Sequence, residues 1–529
     1  MGSHQEYGKN RVQYSEFKWF TQNFERFKIH YYQGEDDLVE YTAKATHLYL
    51  KEIEHFLDFN LNDKIDIVVY GTQTHYRQSN IGLNGEVDGN VGGRTQIIGN
   101  KIFIYYEGDH QKLNKQIKAG IAQVLMNKIM LGSSWKDVLK SNALSAFPVW
   151  YTQGFVSYIS TKDNWNEEIE SKVKDGILTK KYNDFSSLEG DHAIIAGHAL
   201  WNYIDENFGR DMIPTILQYT RMSHNINRGF RLALGSNSQQ LFIQLKNFYR
   251  ARYLEDVSHQ NEIDGEQILV KMRKNRLYSQ VKLSPDGNKI AYVSNNYGRY
   301  KIWVHTLSNN TTEKIYAAEP KLNRILDKTY PVLEWHPTGD ALIFANERKG
   351  ELKYNIYTFN DKELVSRKLG VDKILHMDFA PDAKRMVLSG TIMGKTNIFL
   401  LDVRSFKLTK ITDDIYDDLH PSFADNGQSI LFSSNRISDT LATKNRTPEI
   451  WPMSNKLDLF KFELKYLNKH FKKLTRLTRT PLDNETFPVE IGENNYVYLS
   501  DQNGLNNRFI AFQDSVISHI DTVIHYRYK

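Results

Sequence analysis

With 17 His and no Cys, this chain has imidazole but no thiol among the groups that could do chemistry. Disulfides, thiolate nucleophiles, cysteine-ligated zinc and iron–sulfur clusters are therefore excluded. The histidines do not fall at a metal-binding spacing. His192 and His198 are six residues apart, about 240° around a helix, so they face apart. His75 and His110, with Asp109, fall in or near expected loops and read as surface or capping residues. A serine nucleophile would need a Gly-x-Ser-x-Gly elbow at a strand-to-helix turn. Gly235-Ser-Asn-Ser-Gln239 begins such a motif and does not complete it. The run Gly82-Leu-Asn-Gly-Glu-Val-Asp-Gly-Asn-Val-Gly-Gly93 has the glycine content of a phosphate cradle. With no Lys-Ser/Thr after it and no helix opening on it, it reads as a loop.

These residues belong to a chain of 529 residues, longer than one hydrophobic core supports, so two or more domains are expected. A net charge of +5 makes no case for nucleic acid as a partner. The densest basic stretch, Lys461 to Lys473 and on to Arg476 and Arg479, has aromatics between its charges as a single-strand groove would. It reads instead as a solvated strand pair with one charged face. No apolar run approaches the roughly 20 residues of a membrane span, so no transmembrane segment is expected. No signal peptide is present. Met1-Gly-Ser-His4 reads as an added leader, with Gln5 the start of a mature, exported chain.

The first half mixes strands and helices. Phe27–Tyr32, Ile65–Tyr70 and Lys101–Tyr106 read as strands. Asp36–Phe56 reads as a helix, with Leu38, Tyr41, Ala45, Leu48 and Ile53 at helical spacing. Leu113–Met130 is a second, placing Leu113, Ile117, Ile121, Val124 and Leu125 on one face. Further helices are expected from Pro148, from Ala193 to Phe208 with a stop at Gly209, and over Ile213–Met222, Asn227–Leu234 and Ser238–Tyr253. The organisation expected is an α+β domain over 5–254, a polar linker over 255–267 and a second domain over 268–529.

That second domain is a repeat. Leu283-Ser-Pro-Asp-Gly-Asn-Lys-Ile-Ala-Tyr-Val-Ser-Asn295 returns from Trp335 as His-Pro-Thr-Gly-Asp, from Phe379 as Ala-Pro-Asp-Ala-Lys, and from Phe423 as Ala-Asp-Asn-Gly-Gln. A worn copy begins at Ile491. The turn positions Gly287, Gly339, Ala383 and Gly427 are 52, 44 and 44 residues apart, and the step to Glu493 is 66, which implies an insertion near Asp439 to Ser454. A Pro-Asp-Gly turn joins two antiparallel strands, and a second strand such as Tyr300–Thr306 or Asn397–Asp402 pairs onto them. One small sheet cannot hide both faces, whereas several stacked radially can, so an all-β propeller of five recognisable blades is expected. Ile268–Met272 is a candidate closing strand. Thr522–Tyr528 reads as a strand opening a further blade, which favours a natural end beyond Lys529. The blade motif resembles the TolB-like propeller family.

The first domain resembles the gluzincin, or peptidase MA-like, family. The resemblance rests on the apolar helix around Ile117–Leu125, on Trp150-Tyr-Thr-Gln-Gly-Phe-Val-Ser-Tyr158, and on Ala196-Gly-His-Ala-Leu-Trp-Asn-Tyr-Ile204. Such peptidases carry His-Glu-x-x-His on one helix face, with a third ligand, Glu, on a later helix. Transferred position by position, the first His becomes Ala119, the catalytic Glu becomes Gly120, the second His becomes Gln123 and the third ligand becomes Gln153. All four chemical positions are lost, since a carboxamide is a poor zinc donor. The resemblance therefore implies a pseudo-peptidase with no metal and no cofactor. The pairing of domains also resembles large exported proteins of Bacteroidetes-type bacteria. It implies a periplasmic or outer-membrane-associated scaffold that binds envelope proteins and takes part in assembly or secretion. Two other functions compete with this one. One is a hydrolase built in the old cleft around His198, Tyr158 and Gln153; the other is a propeller that stacks its Trp and Tyr rings on glycans.

Overall fold

The computed structural model describes residues 13–79, 96–98, 100–131, 147–161, 165–182, 184–258, 268, 272–273, 276–296, 299–318, 327–441, 456–469, 472–492, 494–502, 506–512, 515–520 and 524–528. The chain divides into two compact units. The first comprises Met1–Gly71 and Ser79–Gly265, and the second comprises Thr72–Gln78 and Glu266–Lys529. The Gly82–Gly93 run, the Ile268–Met272 candidate and the Asp439–Ser454 insertion lie wholly or largely outside the described residues.

The first unit opens with β1 (Trp19–Asn23), β2 (Phe27–Tyr32), α1 (Asp36–Leu57) and β3 (Ile65–Tyr70). The short α2 (Gln73–Tyr76), which carries His75, counts with the second unit. Then follow β4 (Gln96–Ile98), β5 (Lys101–Tyr105) and α3 (His110–Leu131). The strands form one sheet in the order β1-β2-β3-β5-β4, parallel from β2 through β3 to β5 and antiparallel at both edges. Parallel neighbours need a crossover, which α1 supplies between β2 and β3. Alternation buries Phe27 and Ile29 on β2, Ile65, Ile67 and Val69 on β3, and Ile102 and Ile104 on β5. The α1 stripe runs through Leu38, Thr42, Ala45, Tyr49 and Ile53, and Leu48 lies outside it, 41% exposed. Thr42 occupies a core position by donating its hydroxyl to Leu38 O at 2.7 Å, which a hydropathy reading does not anticipate.

A helical segment completes the unit: α4 (Val149–Thr161), α5 (Trp165–Leu178), α6 (Gly190–Phe208), α7 (Met212–Ser223), α8 (Ile226–Leu234) and α9 (Ser238–Ser258). The helix α5 and the edge strand β1 have no counterpart in the sequence expectations. α9 runs past Leu254 into the stretch expected to be linker.

The second unit is a β-propeller. Its first blade is β6 (Leu277–Leu283), β7 (Lys289–Asn296), β8 (Arg299–Thr306) and β9 (Thr311–Ala317). The second is β10 (Val332–Trp335), β11 (Ala341–Arg348), β12 (Glu351–Thr358) and β13 (Glu363–Arg367). The third is β14 (Lys373–Phe379), β15 (Arg385–Ile392), β16 (Lys395–Asp402) and β17 (Leu408–Lys410). The fourth is β18 (Asp418–Ala424), β19 (Ser429–Ser434), β20 (Asp458–Glu463) and β21 (Thr475–Arg476). A fifth, three-stranded sheet follows, β22 (Glu485–Gly492), β23 (Asn495–Ser500) and β24 (Asn507–Phe512), and then the antiparallel pair β25 (Ser515–Ile520) and β26 (Ile524–Tyr528). The first strands of successive blades contact one another in turn, β6 with β10, β10 with β14, β14 with β18 and β18 with β22, so they are the inner strands.

The cores lie between blades. Ala291, Val293 and Ile302 of the first meet Leu333, Leu342 and Phe344 of the second. Ile343 and Tyr354 of the second meet Met377, Met386 and Leu388 of the third, and Val387 and Ile398 of the third meet Ile430, Phe432 and Phe460 of the fourth.

The repeated turn joins the first two strands of each blade. Its residue is left-handed at Gly287 (φ 70°), Gly339 (φ 74°), Ala383 (φ 57°) and Gly427 (φ 81°). In the fifth blade Asn494 takes this conformation (φ 59°), beside Glu493. A left-handed residue suits glycine, and Ala383 shows that the turn's hydrogen bonds can hold another residue there, with Ala383 N donating to Ala380 O at 2.9 Å. The basic stretch includes β20. Phe460 and Phe462 are fully buried, Lys461 Nζ reaches Asp425 Oδ1 at 3.0 Å, Arg476 pairs with Asp458, and Arg479 pairs with Asp439 at 3.2 Å.

Candidate functional site

The positions singled out in the first unit lie on α3 and α4. Asp109 starts α3 by accepting from Gln111 N at 2.7 Å and Lys112 N at 3.3 Å, an N-terminal cap. His110 is not at the surface, contrary to expectation. It is 2% exposed, with its ring 4.2 Å from that of Tyr41 and 5.1 Å from that of Tyr106. The Gln116 carboxamide fixes the helix to β5, accepting from Tyr105 N at 3.0 Å and donating to Tyr105 O at 2.8 Å. With Leu113, Ile117, Ile121 and Leu125 buried behind it, the helix presents Ala119 and Gly120 inside the unit and Gln123 at its half-exposed edge.

Gln153, half-exposed on α4, meets Gln123: its Nε2 donates to Gln123 Oε1 at 2.8 Å. Gln123 Nε2 in turn donates to Asn127 Oδ1 at 2.7 Å, one turn further along α3. Two of the four positions transferred from the gluzincin pattern are thus in direct contact through their side chains. Ala119 is fully buried and, like Gly120, has no donor atom to bring. The carboxamide chain can donate to and accept from a peptide group. It has neither a titratable group nor a nucleophile.

Behind this pair α4 crosses α6 at very short range. A Cβ on Gly154 would stand 2.5 Å from Gly197 Cα, and a Cβ on Gly197 would fall inside contact distance of the Trp150 carbonyl oxygen. The glycine after Gln153 thus has a packing reason of its own. Trp201 Nε1 closes the crossing on Tyr151 O at 3.2 Å. One turn along, Ser157 Oγ and His198 Nδ1 are 2.8 Å apart. His198 is fully buried, and burial first, then the charge of Lys115, press its pKa down to about 3, so the imidazole is neutral. Tyr158 is also fully buried and donates to Asp205 Oδ2 at 2.7 Å. Of the three side chains of the hydrolase alternative, His198 and Tyr158 are fully buried and Gln153 alone is half-exposed. His192, on the same helix as His198, bonds through Nδ1 to Tyr182 OH at 2.8 Å. Among the described residues, no group of three or more His, Asp or Glu is arranged to hold a metal ion, and no helix is long and apolar enough to cross a membrane.

The family resemblance set Gln153 and Gln123 at neighbouring ligand positions without anticipating the hydrogen bond between them, and the Ser157–His198 pair was missed outright. The Gln-Gly dipeptide was the available signal for the first. The second left none, because Ser157 and His198 come together only through the glycine crossing.

No protein-family model matches the sequence, and no curated protein does. Among solved structures the chain is similar to TolB from Acinetobacter baumannii, at 16% identity and a TM-score of 0.32, over 45% of this chain and 54% of that one. It is also similar to the β-propeller domain of the Trilobed protease from Pyrococcus furiosus, at 17% identity and a TM-score of 0.30, over 45% of this chain and 67% of that one. The chain thus spans about half of the Acinetobacter protein. The propeller architecture rests on the strand pairing above and not on these scores.

Proposed function

We propose that this chain is a non-catalytic, protein-binding scaffold of the bacterial cell envelope, a subunit of an outer-membrane assembly or secretion complex. Its first unit is a gluzincin framework without metal ligands and its second a TolB-like propeller. The observation that carries this reading is the Gln153–Gln123 contact, 2.8 Å between α4 and α3. The residues assigned to the second and third ligand positions converge, as ligand positions must, yet they bring carboxamides that bond to each other. A half-exposed carboxamide chain offers donors and acceptors to an extended peptide, which fits holding a segment without cutting it. A periplasmic or outer-membrane location follows from the resemblance to exported proteins of Bacteroidetes-type bacteria.

Capture of envelope proteins on the purified chain, identified by mass spectrometry, tests the scaffold role, with zinc content measured on the same preparation. Specific envelope partners and substoichiometric zinc are expected. Stoichiometric zinc retained through dialysis would overturn the reading. The framework itself is tested by restoring the ligands. The variant A119H/G120E/Q123H/Q153E should take up zinc. The milder Gln123→His/Gln153→Glu, confined to half-exposed positions, should bind it more weakly. Folded variants that bind no zinc would remove the gluzincin part of the proposal.

A further inference from the structure

From Met212 to Leu254 the chain carries five arginines and one lysine and no aspartate or glutamate. Over the whole chain the signs nearly balance, with 68 Lys and Arg against 63 Asp and Glu. The basic run covers α7, α8 and most of α9. Only two residues, His224 and Asn225, join α7 to α8, and Asn225 caps α8 by accepting from Arg228 N at 2.9 Å. The two helices lie close, since a Cβ on Gly229 would fall inside contact distance of Thr220.

Both helices rest on Tyr151 of α4. Its hydroxyl donates to Thr220 Oγ1 at 3.0 Å, and its ring meets that of Phe230 edge-on at 6.0 Å. Ile213, Ile216, Leu217 and Thr220 of α7 are buried, as are Gly229 and Phe230 of α8. The residues on the far side of each helix therefore point away from a common floor. On α7, Met222 stands about 180° round from Ile213 and is 70% exposed, with the exposed Arg221 beside it. On α8, Arg228 and Arg231 are exposed and bracket the line opposite Gly229 and Phe230, and Leu232 is 57% exposed. Among the described residues, Arg221, Arg228 and Arg231 have no carboxylate partner, whereas Arg252 on α9 lies 3.5 Å from Glu206. The outward side of the pair thus carries three uncompensated guanidinium groups with two aliphatic side chains among them.

We propose that the outward face of α7 and α8 binds the surface of an anionic phospholipid bilayer, with Arg221, Arg228 and Arg231 on headgroup phosphates and Met222 and Leu232 inserted at the boundary of headgroups and acyl chains. A guanidinium matches phosphate oxygens in its own plane, and basic residues near an anionic leaflet are drawn to it. Apolar side chains set among them add insertion to attraction. Nucleic acid would engage the arginines, but the exposed side chains beside them are aliphatic and not rings on which bases stack. An acidic protein surface would need a shaped apolar recess for each of two side chains separated by charge, whereas a fluid interface receives an isolated aliphatic group beside any phosphate. Attachment of this kind needs no membrane-spanning helix.

Co-sedimentation of the full chain with vesicles tests it, comparing pure phosphatidylcholine with an equal mixture of phosphatidylcholine and phosphatidylglycerol. The chain should sediment with the mixed vesicles and stay in solution with the neutral ones, and binding should fall steeply between ~0.05 M and ~0.5 M NaCl. Arg228→Gln/Arg231→Gln should weaken binding roughly tenfold or more. Met222→Ser/Leu232→Ser should weaken it roughly threefold to tenfold at either salt concentration. All four positions are exposed, and melting curves check that the variants remain folded. Arg404→Gln/Lys407→Gln, at exposed sites in the propeller, removes the same charge and should leave binding intact. No sedimentation with either vesicle, equal sedimentation with both, or an equal loss in the propeller variant each overturns the proposal. A labelled polyglutamate peptide or single-stranded oligonucleotide that binds more tightly than the vesicles, and is indifferent to Met222→Ser/Leu232→Ser, gives the face to an acidic polymer and overturns it as well. The scaffold reading does not depend on this face, so either can fail while the other stands.

Discussion

The centre of the first unit keeps a base neutral, while in the second unit burial lifts two carboxyl groups toward neutral pH. His198 lies fully buried under the α4–α6 crossing, with its pKa pressed down to about 3 by burial first and Lys115 second. In the propeller, Asp378 is pushed up to about 7 by burial first and Glu334 next. Glu485 is also pushed up to about 7, by burial and then by Asp458, against the opposing hydrogen bonds of Thr480 and Thr478. Removing water disfavours charge of either sign, so one cause moves a base down and acids up. His198 and these two carboxyl groups should therefore shift stability in opposite directions on acidification.

The largest effect is expected at His198. Between pH 6.5 and about 3 the unfolded chain binds a proton there that the folded unit does not. The stability contributed by the neutral imidazole is thus complete above pH 6.5 and is lost as pH falls toward 3, by on the order of 5 kcal/mol in all. Hydrogen exchange of amides in α4 and α6, followed from pH 7 to pH 4, should show opening free energy falling on acidification. His198→Gln should flatten that dependence while lowering stability at pH 7. An unchanged slope in the variant would show that other groups carry it.

Asp378 should give a smaller effect of opposite sign. Its carboxyl holds a proton in the folded propeller over a range where the unfolded chain, at 3.8, has lost it. That contribution is full below pH 3.8 and disappears as pH rises through about 7. Asp378→Asn keeps an oxygen to accept from Phe423 N and cannot ionise. Exchange of the β14 and β18 amides should thus become less pH-dependent between pH 4 and 8, with a gain at pH 8 of up to about 4 kcal/mol. A variant less stable than wild type at pH 8 would mean that Asp378 is charged there and usefully so.

How far the sequence carried the fold differs between the units for a related reason. In the propeller each blade repeats the same local rule, so a turn such as Ser284-Pro-Asp-Gly287 reveals itself by recurrence, and its strands follow from alternation. What stayed hidden was the loss of ladder register in the inner strands, between Ser279 and Lys282 or between Thr486 and Val489, because a register shift is a relation between two strands and leaves no composition signature. In the first unit periodicity located α1, α3 and α6 but not α5. The candidate pair Gln123 and Gln153 was legible only by family resemblance, since residues 30 apart on separate helices share no period. His110 was misread for a similar reason: one imidazole at a helix start gives no sign of the Tyr41 and Tyr106 rings that bury it.

The glycine crossing supplies the smallest and most discriminating test. If Gly154 and Gly197 keep water from His198, loosening them should weaken the pH response as well as the packing. Gly197→Ala adds a methyl against the Trp150 carbonyl, and overpacking of this kind costs about 1–3 kcal/mol. As α4 and α6 separate, His198 regains some hydration and its pKa should climb back toward 6.5, so the variant should lose less stability on acidification than wild type does. Gln153→Ala, one residue from Gly154, removes only the half-exposed bond to Gln123, worth about 0.5–1.5 kcal/mol, and should leave the acid response unchanged. Equal acid responses in the two variants would separate the crossing from the neutrality of His198, whereas a reduced response in Gly197→Ala alone would tie helix packing directly to the charge state of the imidazole.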